Sequence, residues 1–208
     1  MRQFLRELTG ERAPGPLPSF AMVHVIKALE LIRDRPIGRS RLSKELSIGE
    51  GATRTLIERL RDKGLVTVER AGCILTEKGE RFWEAVQEAL PHKTILEESG
   101  LTVGRFSVAL LVRGGAGEVR SGMEQRDAAM MAGAKGATTL VYRDGRLTVP
   151  PEQRDVAKDF PKIYRTLMES LRPQEDDVIV VGSADTQEKA EYGALAAALS
   201  HLDHLAER

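Results

Sequence analysis

The sequence predicts an α+β protein in two parts, a helical N-terminal domain closed by a short hairpin and a C-terminal α/β domain. Three observations carry that expectation. Apolar residues recur at helical spacing through three segments between Ser19 and Lys63. Two short β-rich runs then flank the glycine turn Arg70-Ala71-Gly72. Beyond Gly100, Val/Ile/Leu-rich runs alternate with helical segments in the order β-α-β-β-α-β-α. The expected division is residues 1–92 and 101–208, with the boundary between Pro91 and Gly100.

Met1–Thr9 reads as a short helix, and Gly10–Pro18, with three prolines, as a loop. Ser19 is placed to cap a helix with Met22, Val25, Ile26, Leu29 and Ile32 on one face, ending at Arg35-Pro36. Ser40 is expected to cap a second, short helix with Leu42 and Leu46 inward. After the turn Ser47-Ile48-Gly49, a third helix runs from Glu50 to Lys63. It buries Thr53, Leu56, Ile57 and Leu60 and stops at Gly64. Leu65–Glu69 and Cys73–Thr76 are the strands of a hairpin, and Thr76 caps the helix Glu77–Leu90, whose apolar stripe is Trp83, Val86 and Leu90. Helix, helix, turn, helix, hairpin, helix is the order of a winged helix-turn-helix.

In the second part, Val103–Val112 reads as a strand, Arg113–Gly117 as a glycine-rich loop and Glu118–Ala132 as a helix. Ala137–Tyr142 and Arg146–Val149 form a hairpin across Arg143-Asp144-Gly145. A helix over Glu152–Leu171, kinked or broken at Pro161, precedes the strand Asp177–Gly182 and an alanine-rich helix, Thr186–Leu205. The order suits a ferredoxin-like, split β-α-β layout.

Composition narrows the classes of function. The longest apolar run is six residues, Ala194–Leu199, far below the roughly 20 a membrane helix needs. Arg2, Arg6 and Glu7 interrupt any signal-peptide core, and the single cysteine, Cys73, suits a reducing cytoplasm. Membrane and secreted readings are set aside. The formal net charge is zero, but residues 1–92 carry +3 and residues 93–208 carry −3. Arg33–Gly72 alone carries +4, so a basic module is joined to an acidic one.

Arg41–Gly79, through IERLRDKGLV and then LTEKG, resembles the winged-helix domains of prokaryotic transcriptional regulators. Gly122–Val141 (GMEQRDAAMMAGAKGATTLV) resembles the C-terminal domain of an archaeal family of winged helix-turn-helix proteins regarded as regulators, in which that domain has no assigned activity. The resemblance implies a regulator and leaves its ligand open.

On such a fold the third helix presents Gly51, Ala52, Arg54 and Thr55 outward, together with Glu50 and Glu58. Arg54 is suited to a bidentate contact with guanine, and the two small residues allow close approach to a groove. Arg39, Ser40 and Arg41 sit where the second helix begins and suit a phosphate. Arg70 sits at the hairpin tip. A solvated basic face, or a winged helix used for protein contacts, is the plainer alternative.

In the second part, Gly114, Gly115 and Gly117 form a loop whose amides can cradle an anion, or simply a strand-to-helix turn. Gln125 and Arg126 are candidates for a ligand or subunit contact. Ser183 and Asp185 follow a buried strand, where they can line a site or cap the last helix. His201 and His204 share a helical face without a third ligand, so no metal and no cofactor is expected. The expected function is a cytoplasmic, homodimeric regulator of double-stranded DNA that responds to a small anionic effector. The alternative is an enzyme acting on a phosphorylated or nucleotide-like metabolite, with Gly114–Gly117 and Gly182–Asp185 lining its site.

Overall fold

The computed structural model describes residues 7–10 and 19–205; most of the expected first helix, the loop up to Pro18 and the His204 side chain lie outside these. The chain forms two compact units, residues 1–86 and 87–208.

The N-terminal unit contains α1 (Met22–Asp34), α2 (Arg39–Glu45) and α3 (Glu50–Asp62), then the antiparallel hairpin β1 (Val66–Glu69) and β2 (Gly72–Leu75), and then α4, Glu77–Ala89, which runs on into the second unit. Val25, Ile26, Leu29 and Ile32 of α1, Leu42 of α2 with Leu46 after it, and Leu56, Ile57 and Leu60 of α3 are all buried. Each contributes about 1.5–3 kcal/mol by leaving water, so the helical spacing read from sequence is the spacing of the core. Two caps differ from expectation. Ala21 precedes α1, and its N–H is satisfied by His24 Nδ1 at 2.9 Å, so Ser19 is not the cap. Gly38 precedes α2, and Ser40 lies inside the helix with its hydroxyl donating to Glu50 at 3.0 Å.

Two other signals are realised as read. The Leu65 and Gly64 amides bond back to the Leu60 and Arg61 carbonyls at 2.9 and 2.8 Å, the paired bonds that close a helix at a glycine. Thr76 Oγ1 accepts from Gly79 N at 3.1 Å at the start of α4. The hairpin is itself held against the α1–α2 connection, because Ile37 and Cys73 exchange backbone bonds at 3.2 and 2.9 Å. That approach leaves no room beside Gly72, where a Cβ would stand 2.6 Å from the Ile37 carbonyl carbon.

The second unit is built on a six-stranded antiparallel sheet in the order β3-β4-β8-β5-β6-β7. Its elements are β3 (Lys93–Leu96), β4 (Phe106–Val112), α5 (Met123–Met131), β5 (Gly136–Arg143), β6 (Arg146–Val149) and β7 (Arg154–Asp155). They are followed by α6 (Val156–Asp159), α7 (Pro161–Leu171), β8 (Val178–Ala184) and α8 (Gln187–Leu205). On one face Ala109, Leu111, Leu140, Ile179 and Val181 form a core with Ile163, Leu167 and Leu171 of α7. The α8 backbone lies directly over Gly182, where a Cβ would come within 2.3 Å of Ala194 N.

Here the ferredoxin-like expectation is corrected. A split β-α-β unit is present, since β4 and β5 each run antiparallel to β8 and hence parallel to one another. The strand filling the gap, however, is the last one, whereas a ferredoxin-like sheet uses the strand of the following hairpin. Residues 93–96, expected in the linker, form an edge strand on β4. Gly122, with φ 73°, delays α5, so the helix expected from Glu118 begins at Met123 after a single 3-10 turn at Ala116–Glu118. The helix expected from Glu152 is two helices. Pro161 cannot donate and drives Phe160 out of helical geometry, and Asp155 caps α6 by accepting from Ala157 N at 2.9 Å. The Asp144-Gly145 turn is as read, with φ of 51° and 69°, the two positive angles of a type I′ hairpin. Among the described residues, no helix is long and apolar enough to cross a membrane.

Candidate nucleic-acid interface

In the N-terminal unit, α2, α3 and the hairpin surround a cleft of about 570 Å³. Five arginines line it: Arg39 and Arg41 from α2, Arg54 and Arg61 from α3, and Arg70 from the hairpin tip. Two are partly neutralised along their own helices. Arg41 lies 3.6 Å from Glu45 and Arg54 3.3 Å from Glu58, both exposed pairs four residues apart. Arg39, Arg61 and Arg70 have no carboxylate partner among the described residues. Glu58 and Glu69 also line the cleft, so the positive charge there is net and not uniform. Burial pushes the thiol of Cys73, at the base of the cleft, above its ordinary range.

The expected residues sort in two. Arg39, Ser40, Arg41, Arg54 and Arg70 converge on this cleft. Gly51 and Ala52, nearer the start of α3, and Thr55 lie outside it; Gly51 faces open space and Thr55 Oγ1 donates to the Gly51 carbonyl at 3.2 Å. Arg61 was missed. It stands seven residues after Arg54 and so on the same helical face, a signal present in the sequence.

Behind α3, the buried Arg59 donates through Nη1 to the carbonyls of Leu8 and Gly10, both at 2.7 Å, with its guanidinium carbon 5.7 Å from the centre of the Phe20 ring. Lys63 joins Glu7 nearby. These bonds tie residues 7–10 to the helix that carries Arg54 and Arg61.

The candidate residues of the second unit do not assemble into one site. The Gly114–Gly117 loop does cradle anions, but they are the protein's own. Gly114 N donates to Asp177 at 2.9 Å and Gly115 N to Asp176 at 3.1 Å, while Arg113 binds Asp177 at 2.6 Å and Arg143 binds Asp176 at 3.2 Å. Asp176 is held below the usual aspartate range: burial pulls it upward, but the Gly115 and Gly117 amides and the Arg143 guanidinium outweigh that. The loop amides offered to an effector are therefore engaged. Asp176 and Asp177, just ahead of β8, are the carboxylates that fill it.

Ser183 is inside β8 and not in a following loop; its hydroxyl pairs with that of Ser107 at 3.0 Å in the buried sheet. Asp185 is exposed and bound to Lys135 at 2.6 Å, and Thr186 Oγ1 takes the capping role by accepting from Lys189 N at 3.3 Å. The glycine loop lies at the start of β8 and Ser183–Asp185 at its end. Six strand steps separate them, roughly 20 Å, so they cannot line one small-molecule site. Gln125 is buried and Arg126 exposed on α5.

Residues 22–81 match the family described as PH0730-like, N-terminal domain, and residues 103–202 match a domain of unknown function, DUF4443. No curated protein matches the chain. Among solved structures, the hypothetical protein PH0730 from Pyrococcus horikoshii OT3 is similar over 86% of this chain and 91% of its own, with a TM-score of 0.69 and 24% identity. At that identity the likeness is one of fold. The two family matches fall on the same two parts of the chain that carry the resemblance described above.

Proposed function

We propose that the chain is a DNA-binding transcriptional regulator whose N-terminal unit works as a winged helix-turn-helix. The observation that carries this reading is the convergence of Arg39, Arg61 and Arg70, three guanidiniums without carboxylate partners among the described residues, on one cleft between two helices and a hairpin. Guanidiniums gathered on one cleft in this way favour backbone phosphates, whose neutralisation releases counterions and supplies most of the affinity. Glu58 aligns the Arg54 guanidinium along the exposed face of α3, where it is available to a base edge in the major groove. A regulator of this kind acts as a homodimer on two half-sites about 34–36 Å apart, and it works in the cytoplasm. The second unit serves association; a small anionic effector bound there would need a site other than the Gly114–Gly117 loop.

Fluorescence anisotropy with the DNA upstream of the protein's own coding region and a scrambled duplex, titrated over salt, tests the reading. Tighter binding to the upstream duplex is expected. A steep salt dependence without preference would reduce the proposal to phosphate contact, and absence of binding to either duplex would overturn it.

A further inference from the structure

α5 turns to solvent a stripe that no described residue covers. Met123, Arg126, Asp127 and Met130 fall at i, i+3, i+4 and i+7, one face of the helix. Met123 and Met130 are 48% and 45% exposed, and Met131 beside them is 91% exposed. Between the methionines stand two opposite charges, and neither has an ion-pair partner among the described residues; the Arg126 guanidinium donates through Nη1 to Met123 Sδ at 3.8 Å. Gln125 and Ala129, on the other side of the helix, are buried. A single exposed hydrophobe is ordinary, but three methionines on one nine-residue helix form an adaptable apolar patch.

The charges make this patch complementary to itself. At 3.6 residues per turn, Arg126 and Asp127 lie about 100° apart, one on each flank of the Met123–Met130 line. Two copies of α5 side by side and parallel, related by a two-fold axis running along the helices, set Arg126 of each against Asp127 of the other. Met123 then meets Met123, and Met130 meets Met130, along the axis. The antiparallel arrangement sets Arg126 against Arg126 and Asp127 against Asp127, which costs on both flanks. An isologous contact needs one patch that satisfies a copy of itself, and the parallel arrangement meets that condition with two ion pairs around an apolar centre.

We infer that the exposed face of α5 is a homodimer contact, joined in parallel through Met123 and Met130 and keyed by reciprocal Arg126–Asp127 pairs. A helix of nine residues is about 13 Å long, too short to bury the ~1,200 Å² at which stable interfaces begin. The dimer is accordingly weak and concentration-dependent, in the micromolar range. This inference gives a surface to the dimer proposed above and uses the second unit alone. Its test contains no DNA, so its failure and that of the DNA-binding reading are distinguishable.

Sedimentation velocity of the full chain over a wide micromolar range reads the association directly. The wild-type dimer fraction should rise with concentration. Arg126→Asp and Asp127→Arg should each weaken association by about tenfold or more, because each turns both ion pairs into like-charge contacts. An equimolar mixture of the two variants should associate again, and the double exchange R126D/D127R in one chain should restore the homodimer. Met130→Lys should abolish association with an unchanged melting temperature, since the side chain is exposed. A wild-type chain that stays monomeric, or a dimer indifferent to both charge reversals, would overturn the proposal. So would a double exchange that fails to associate, because parallel pairing requires it to.

Discussion

The Asp177 carboxylate, only 4% exposed, receives the Arg113 guanidinium at 2.6 Å and closes the loop after β4 onto the loop before β8. The same carboxylate accepts from the amides of Gly114 and Gln174 at 2.9 and 2.8 Å. Three donors thus converge on one buried side chain, from segments about 60 residues apart in sequence, and together they hold the end of the β4–β8 pair at Val112 and Val178. Asp177→Asn retains the shape but presents an amide nitrogen where only acceptors fit, and it leaves Arg113 without its anion. The expected cost is about 2–3 kcal/mol, the range for losing a charge-assisted contact to a buried group. Urea unfolding should show it as a lower midpoint with an unchanged slope.

The neighbouring Asp176 gives the protein an acid-sensitive element. Its carboxyl is held below the ordinary aspartate range in the folded chain, burial being outweighed by the Gly115 and Gly117 amides and by Arg143. A group depressed on folding adds stability above its unfolded pKa, and that stability is lost as pH falls through the folded value. The loss therefore belongs to the acid side of the ordinary aspartate range and not to neutral pH. Asp176 is half exposed and screened by solvent, so the effect is modest. Melting temperature measured against pH should fall less steeply in acid for Asp176→Asn than for the wild type. Parallel acid limbs would show that Asp176 adds nothing.

At Gly182 the sheet and the last helix are in backbone contact. A methyl group there would stand 2.3 Å from Ala194 N and 2.4 Å from the Ala190 carbonyl oxygen, neither of which can rotate away. Gly182→Ala must therefore lift α8 from the sheet, and overpacking of this kind costs about 1–3 kcal/mol or more. Ala194→Gly removes a side chain but none of the backbone atoms that meet Gly182, so it should not rescue the variant. Calorimetry of Gly182→Ala, alone and with Ala194→Gly, checks both statements.

What the sequence discloses about this protein is what lies close along the chain. The Thr76 cap, the stop at Gly64 and the Asp144-Gly145 turn each depend on partners within a few residues, and each forms as read. Periodicity likewise gives the buried faces of α1 and α3. Long-range relationships leave no such trace. Arg59 finds its acceptors 51 and 49 residues away at Leu8 and Gly10, and nothing around it in sequence marks it as buried. The glycine loop is legible as an anion cradle, but the anion is a pair of aspartates about 60 residues further on. Strand order is a property of pairing alone, so the insertion of β8 between β4 and β5 is visible only in the fold. β3 escapes because four residues with a polar start are too few for alternation to show. Of the candidate interface, the residue types are readable and their convergence is not, which is why Arg61 emerges only with the cleft.

On the DNA-binding reading proposed above, that convergence allows phosphate contacts and base contacts to be separated by experiment. Arg39, Arg61 and Arg70 carry no carboxylate partner among the described residues and line the cleft from three different elements. Each neutralised phosphate contributes about −0.9 to the slope of log affinity against log salt. Replacing any one of the three by alanine should lower that slope by about 1 and weaken upstream and scrambled duplexes alike. Arg54 is different, since Glu58 holds it along the exposed face of α3 and partly cancels its charge. Arg54→Ala should leave the slope nearly intact and reduce the preference for the upstream duplex by about 1–3 kcal/mol. Anisotropy titrations of the four variants at three or more salt concentrations resolve the two effects. If Arg54→Ala changes the slope while preserving the preference, Arg54 is one more phosphate contact and sequence is read elsewhere, with Gly51 and Ala52 at the start of α3 the next place to look.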